Sequence, residues 1–139
     1  KYGDSVIGLS AVPHNEVSKF GVIDGVAVGE RTYEIKRFIE KPSPSEAPSN
    51  LVAVGIYVLT PEVLSWLTTM KPGPNGELRL ADAFQQMLAH DRPIYGQEFN
   101  GTWLDTGDKL GFIKATIQLG LKNKEIGPEL KKFIRTLSS

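Results

Sequence analysis

The 139-residue sequence contains no cysteine, which excludes disulfide bonds, thiolate nucleophiles and cysteine-based zinc sites together. This composition is compatible with a cytoplasmic location. The sequence also lacks an excess of either charge, because 16 basic side chains balance 16 acidic ones. Its longest apolar run, residues 51–59, is about half of what a membrane-spanning helix needs. We therefore expect neither a nucleic acid nor a membrane as a partner.

Several catalytic motifs are missing as well. Neither G-x-x-x-x-G-K-[ST] nor G-x-G-x-x-G occurs, and no serine lies in a G-x-S-x-G context. The two histidines, His14 and His90, are far apart in the sequence and have no companion at helical spacing. These absences argue against a hydrolase triad and against a histidine metal pair.

The segments that are present alternate between strand and helix patterns. Strands are predicted at 5–12, 33–41 and 51–60, and the last of these is apolar throughout, as expected for a strand buried on both faces. The pairs Asp24-Gly25 and Asn100-Gly101 each predict a tight hairpin.

Helices are predicted after Thr60-Pro61, at about 79–90, at about 108–122 and from Pro128 onward. The second is expected to bury a face with Leu80, Phe84, Met87 and Leu88, and the third has an apolar stripe of Leu110, Ile113, Ile117 and Leu121. Strand-to-helix units mixed with hairpins are typical of an α/β domain with a mixed sheet and flanking helices. We expect one domain over 1–139, with the sheet and its helices over about 1–107 and C-terminal helices over about 108–139.

One strand ends in a pair of opposite charges, within "KRFIEKP" (36–42). Ligands of open α/β sheets lie just beyond the carboxyl ends of strands, where Glu40 and Lys41 are expected. A carboxylate suits hydroxyl donors and an ammonium suits a phosphate, so a sugar phosphate is the natural ligand of this pair. The alternative is an ordinary solvated strand end.

A second candidate is Asp105, in "WLDTGDK" (103–109), where a strand pattern enters a glycine turn before a helix. A carboxylate there could hold Mg²⁺ together with phosphate oxygens. The alternative is that Asp105 or Asp108 bonds backbone N–H groups, as an Asx turn or as a helix cap.

Taken together, these segments resemble the bacterial UTP–glucose-1-phosphate uridylyltransferases, within the sugar-nucleotidyltransferase superfamily. The resemblance rests on five segments in the family order, which are "FGVID" (20–24), "FIEKP" (38–42), "APSNLVAVGIYVL" (47–59), "GELRLADAF" (76–84) and "WLDTGDKLGFIKATIQLGLKN" (103–123). It spans nearly the whole chain and implies the C-terminal half of a Rossmann-like nucleotidyltransferase fold.

The resemblance also implies roles for four residues. Glu40 matches the carboxylate that holds sugar hydroxyls, and Lys41 matches the lysine that holds the phosphate of glucose 1-phosphate. Gly21 matches a glycine whose backbone approaches the sugar. Asp105 matches the second Mg²⁺ ligand of a reaction in which UTP and glucose 1-phosphate give UDP-glucose and pyrophosphate.

The chain departs from the family in lacking the G-x-G-T-R loop, the catalytic lysine and the first Mg²⁺ aspartate of the N-terminal half. We therefore expect no catalytic residue in this half, and no UDP-glucose synthesis by this polypeptide alone. An uncovered sheet edge in "LVAVGIYVL" would favour a homo-oligomer or a missing N-terminal half as a partner. Two alternatives remain, a non-catalytic sugar-phosphate-binding module and a protein-association module.

Overall fold

The computed structural model describes residues 3–73 and 76–137 and divides into two compact units, residues 1–100 and 101–139. The described part of the first unit contains five strands, two α-helices and a short 3-10 helix at His14–Lys19. The second unit contains two α-helices. The strands are β1 (Ser5–Ala11), β2 (Gly21–Gly29), β3 (Thr32–Glu40), β4 (Leu51–Val58) and β5 (Ile94–Glu98), and the helices are α1 (Pro61–Thr69), α2 (Leu80–Ala89), α3 (Lys109–Lys122) and α4 (Gly127–Leu137).

The five strands pair in the order β1-β4-β2-β3-β5, and β5 returns to β1. β1 runs parallel to β5, whereas every other neighbouring pair is antiparallel. This confirms the predicted mixed sheet with helices. The contact between β2 and β4 is the weakest, because the register pairs only Val22 with Val52.

The core of the first unit lies between the sheet and helices α1 and α2. Strand residues such as Ile7 and Ile94 are fully buried against Val63 of α1 and Phe84 of α2. Phe84 and Met87 follow the helical spacing predicted for α2, and both are buried. The periodic pattern therefore identified the face of α2 that packs on the sheet.

The predicted hairpin at Asp24-Gly25 is wrong. β2 runs through this pair to Gly29, and the turn comes at residues 30–31, where Arg31 has a φ of 54°. The register with β3 slips between Asp24 and Gly25. A Cβ at Gly25 would lie 2.8 Å from the carbonyl oxygen of Glu34, so this glycine permits close approach of two backbones at a bulge.

The predicted hairpin at Asn100-Gly101 is also wrong. β5 ends at Glu98, and the N–H of Phe99 donates to the carbonyl of Leu9. Residues 102–104, all of them described, form no strand. This asparagine–glycine pair instead falls where the two units divide.

The predicted burial of β4 on both faces is wrong as well. Val52 is buried, but Ile56 is 63% exposed and Val58 is 66% exposed. Gly55, which directly precedes Ile56 in the strand, has a φ of 77°. This left-handed conformation interrupts the regular alternation of side chains.

The second unit pairs α3 with α4, and a Cβ at Gly120 would lie 2.6 Å from the Cδ2 of Leu130. The glycine therefore lets the two helices approach closely. The predicted stripe of α3 lies on the helix but remains exposed, at Leu110, Ile113, Ile117 and Leu121. No helix in the described part of either unit is both long and apolar enough to cross a membrane.

Candidate functional site

Three of the four predicted site residues lie together at the end of β3. Gly21 and Glu40 are directly paired across β2 and β3, and a Cβ at Gly21 would lie 3.1 Å from Oε2 of Glu40. Lys41 follows with a φ of 48°, and its N–H donates to the carbonyl of Phe20 at 3.0 Å. A left-handed conformation is uncommon for lysine and ends the strand there.

Three aromatic rings pack together near this strand end. The ring of Phe38 packs on Phe84 with centroids 5.5 Å apart, and Tyr57 also packs on Phe84, at 5.7 Å. A Cβ at Gly21 would lie 2.7 Å from Cε1 of Phe38. Because Gly21 has no side chain, the Phe38 ring can occupy the space where a Cβ would lie. The sequence did not indicate this constraint.

Two further polar side chains lie near Glu40. Tyr57 is half-buried, and burial raises the pKa of its hydroxyl, with a smaller contribution from the negative charge of Glu40. Arg79 precedes α2 and donates to both carboxylate oxygens of Asp82, at 3.0 and 2.9 Å. The hydrogen bond to Asp82 raises the pKa of Arg79, and Glu40 raises it further.

Sequence reasoning missed Tyr57 and Arg79 as neighbours of Glu40. Tyr57 lies in an apolar strand, where aromatic residues are common. Arg79 and Asp82 have the spacing of an ordinary helix-surface ion pair, three residues apart. Only long-range structure relates these groups, through the packing of α2 on β3 and the place of β4 beside β2 in the same sheet.

The loop after Lys41 is tied back to the sheet. Pro42 is buried, and the Ser43 side chain donates to Glu46 at 2.6 Å. Hydrogen bonds from Ser43 lower the pKa of Glu46. Ser49 then donates to the carbonyl of Ile23 in β2. These bonds restrain the loop that borders the strand end.

Chemically, the strand end combines the carboxylate of Glu40 with the ammonium of the next residue, and the charge of Glu40 also acts on Tyr57 and Arg79. The carboxylate of Glu40 can accept from hydroxyl groups, and the cationic groups can bind an anion. This combination suits a small molecule that carries both hydroxyl groups and a negative charge.

Asp105 belongs to the second unit, whereas Gly21, Glu40 and Lys41 belong to the first. Its Oδ1 accepts from the N–H of Gly107 at 3.0 Å, and Asp108 caps α3 by accepting from Gly111 at 2.7 Å. Both aspartates therefore act as the turn and cap that sequence analysis named as the alternative. Asp105 is exposed, and its second carboxylate oxygen could still bind a cation.

The described residues contain no group of three or more His, Asp or Glu side chains that could hold a metal ion. The two histidines are exposed, and His14 bonds the carbonyl of Pro44. The donors present fit Mg²⁺ only if Asp105 supplies one carboxylate and other groups complete the coordination.

Comparison with known proteins finds similarity between this chain and nucleotidyl transferases. The family model described as nucleotidyl transferase matches residues 3–120. The UTP–glucose-1-phosphate uridylyltransferase of Staphylococcus haemolyticus is 44% identical over 97% of this chain and 46% of its own length. That of Staphylococcus epidermidis is 43% identical over the same shares.

Solved structures agree with this. A UDP-glucose pyrophosphorylase complexed with UDP-glucose matches with a TM-score of 0.82 and 38% identity, over 88% of this chain and 46% of its own. UDP-glucose pyrophosphorylase from Acinetobacter baumannii matches with a TM-score of 0.83 and 30% identity, over 98% of this chain and 46% of its own. The chain thus spans slightly less than half the length of these relatives.

Proposed function

Because the chain belongs to the nucleotidyl transferase family, we propose that it is part of a uridylyltransferase that makes UDP-glucose and pyrophosphate from UTP and glucose 1-phosphate. In this proposal the chain supplies the sugar-phosphate site. The observation that carries it is the placement of Glu40 directly over Gly21 at the end of β3, with Lys41 turned out of the strand immediately afterwards.

Each group at the strand end has a role in this proposal. Glu40 accepts hydrogen bonds from sugar hydroxyls, and Lys41 neutralises the phosphate as a point charge. Gly21 keeps the space beneath Glu40 free for the Phe38 ring, so that the backbone of β2 and the carboxylate share one surface. Tyr57 and Arg79 add a hydroxyl and a second cation near Glu40.

Asp105 would hold Mg²⁺ with one carboxylate, and the remaining ligands would come from phosphate oxygens and from protein groups outside this chain. Bound Mg²⁺ would neutralise the charge that develops on the transferring phosphoryl group. The chain's own contribution is to bind and orient the sugar phosphate so that its phosphate oxygen faces the α-phosphorus of UTP. Positioning of this kind accounts for much of the catalysis in phosphoryl transfer.

A second candidate function is a non-catalytic module that binds sugar phosphate or associates with another protein. The association role is favoured by the exposure of the apolar side chains of Ile56 and Val58 on β4. In either case we propose a cytoplasmic location, and a homo-oligomer or a completing polypeptide as the partner.

The sugar-phosphate site can be tested by calorimetric titration of glucose 1-phosphate into the chain, with and without UTP and Mg²⁺. We expect binding that Glu40→Ala and Lys41→Ala abolish. Lys36→Ala is the matched control, because Lys36 is an exposed lysine of the same strand that pairs with Glu34. Equal binding by Lys41→Ala and Lys36→Ala would contradict the proposed role of Lys41.

A coupled assay for pyrophosphate release tests whether the chain acts alone. One carboxylate binds Mg²⁺ weakly, and the described residues include no motif for a triphosphate, so we expect no turnover above a Lys41→Ala background. Turnover by the wild-type chain above that background would contradict the proposal that other protein groups are required.

A further inference from the structure

The second half of β3 has a neighbouring strand on one side only. β2 pairs with β3 along its whole length, whereas β5 pairs only with Thr32, Tyr33 and Glu34 at its beginning. In the described register, residues 35–40 therefore leave one backbone edge without a partner strand. The N–H and C=O groups of such an edge are not restrained by a ladder of hydrogen bonds. Glu40 lies at the end of this edge, so the position of its carboxylate depends on what holds the strand there.

A side chain of α2 binds to this edge. Nε2 of Gln85 donates a hydrogen bond to the carbonyl oxygen of Phe38 at 3.0 Å. The preceding helix residue, Phe84, packs its ring on the ring of Phe38 with centroids 5.5 Å apart. Phe84 therefore restrains the side chain of Phe38, and Gln85 restrains its main chain.

Phe38 is linked to the proposed sugar-phosphate site by its position. Residues two apart in a strand face the same side, so Phe38 and Glu40 share one face of β3. Gly21, which pairs with Glu40 across the ladder, leaves the space that the Phe38 ring occupies. A movement of the strand at Phe38 would therefore displace the ring and the carboxylate of Glu40 together.

α2 runs beside β3 in the opposite direction. Leu88 lines a cavity with residues 34–36 of β3, whereas Gln85, three residues earlier in the helix, binds Phe38. A second cavity, of about 260 Å³, is lined by residues 36–39 of β3 and by Gln85 and Leu88 of α2. Because close packing does not fill this space, the hydrogen bond of Gln85 is needed to restrain the strand edge.

We propose that Gln85 is a positioning residue of the sugar-phosphate site. Its hydrogen bond fixes the main chain at Phe38 and thereby holds the carboxylate of Glu40 where it accepts from the sugar hydroxyls. Gln85 needs no contact with the sugar phosphate itself. This proposal rests on the proposed function, because it takes Glu40 to bind the sugar. A binding group that is held loosely loses affinity, since its ordering must then accompany binding.

The first test is calorimetric titration of glucose 1-phosphate into the wild-type chain and two variants. Gln85→Ala removes the donor and should weaken binding by about threefold to tenfold, the range for loss of one neutral hydrogen bond. Gln86→Ala is the matched control, because Gln86 is the next exposed glutamine of α2 and its side chain has no hydrogen bond to β3 among the described residues. This control should bind within about twofold of the wild type. Equal weakening by the two substitutions, or none in Gln85→Ala, would overturn the proposal.

Amide hydrogen exchange of the chain without ligand, measured by NMR, separates positioning from general stability. The N–H of Lys41 donates to the carbonyl of Phe20 at 3.0 Å and closes the strand end. Gln85→Ala should raise the exchange rate of this amide by at least about fivefold. The N–H of Val12, which donates to Asn50 at 3.1 Å, should exchange at its wild-type rate. A purely stabilising role for Gln85 would instead raise both rates alike.

Two further variants complete the test. Gln85→Lys retains an N–H donor on a side chain of similar reach, so the amide of Lys41 should exchange at its wild-type rate. Gln85→Glu has the size of glutamine but no donor when ionised, and it replaces Gln85→Ala if urea unfolding shows that variant to be unfolded. Because exchange needs no ligand, the two proposals fail separately. Absence of glucose 1-phosphate binding by the wild type contradicts the proposed function, and unchanged exchange at Lys41 in Gln85→Ala overturns the positioning role.

Discussion

Replacement of Gly21 by alanine should destabilise the first unit and distort the strand end together. The added Cβ would lie 2.7 Å from Cε1 of Phe38 and 3.1 Å from Oε2 of Glu40. Real Cβ contacts are essentially never shorter than 3.0 Å, so the Phe38 ring or the β2 backbone must move, and Glu40 must give way by a few tenths of an ångström.

Phe38 has little room to move. It is only 4% exposed, and its ring already packs on Phe84. Overpacking of a core by one methyl group typically costs about 1–3 kcal/mol of the free energy of unfolding. We expect a loss of about 2 kcal/mol for Gly21→Ala, together with displacement of the Glu40 carboxylate and weaker binding of glucose 1-phosphate.

Urea denaturation followed by fluorescence measures this loss. Gly73→Ala is the control, because a Cβ there would lie 3.6 Å from the nearest atom, an ordinary contact, and we expect a change within about 0.5 kcal/mol. In the double variant Gly21→Ala/Phe38→Leu, the smaller side chain should relieve the clash, so the combined loss should fall below the sum of the single losses by about 1 kcal/mol. A Gly21→Ala protein as stable as the wild type would refute the assignment of this space to Phe38.

Three further outcomes are expected. Burial and the charge of Glu40 raise the pKa of Tyr57. The neutral phenol therefore stabilises the fold fully below about pH 10, and this stabilisation is lost as the pH rises through the raised pKa. Urea unfolding between about pH 9 and 11 should show a steeper loss of stability for the wild type than for Tyr57→Phe. Asp108→Ala removes the cap of α3 and should cost about 1 kcal/mol of helix stability, measured as loss of helical circular dichroism on heating, whereas Asp108→Asn should retain most of it. Phe84→Ala should cost about 3–5 kcal/mol in urea unfolding, because its fully buried ring contacts both Phe38 and Tyr57, and a loss below about 1 kcal/mol would contradict that packing.

Local features of the sequence were sufficient to predict most elements and part of the site. The spacing of Phe84 and Met87 defines the buried face of α2. Glu40 and Lys41 were found because both follow one strand and adjoin its end. Signals of this kind depend on a few consecutive residues.

The errors arose where distant segments decide the outcome. Asp24-Gly25 has the composition of a tight turn. Gly25 is needed instead because the carbonyl of Glu34 on the neighbouring strand lies where a Cβ would be. Tyr57 and Arg79 reach Glu40 only through the pairing of β4 and the packing of α2. A single sequence contains no signal for such contacts, since they join residues that are far apart along the chain.

The error in β4 has a different physical origin. The apolar run from Leu51 to Leu59 predicts a strand covered on both sides, and its first half behaves that way, with Val52 fully buried beside Val22. In its second half the same pattern continues, but Ile56 and Val58 meet solvent. Exposed aliphatic side chains contribute nothing to the stability of a free sheet edge and favour its aggregation. The apolar pattern therefore predicts where the strand runs, whereas its burial depends on the segments that pack beside it.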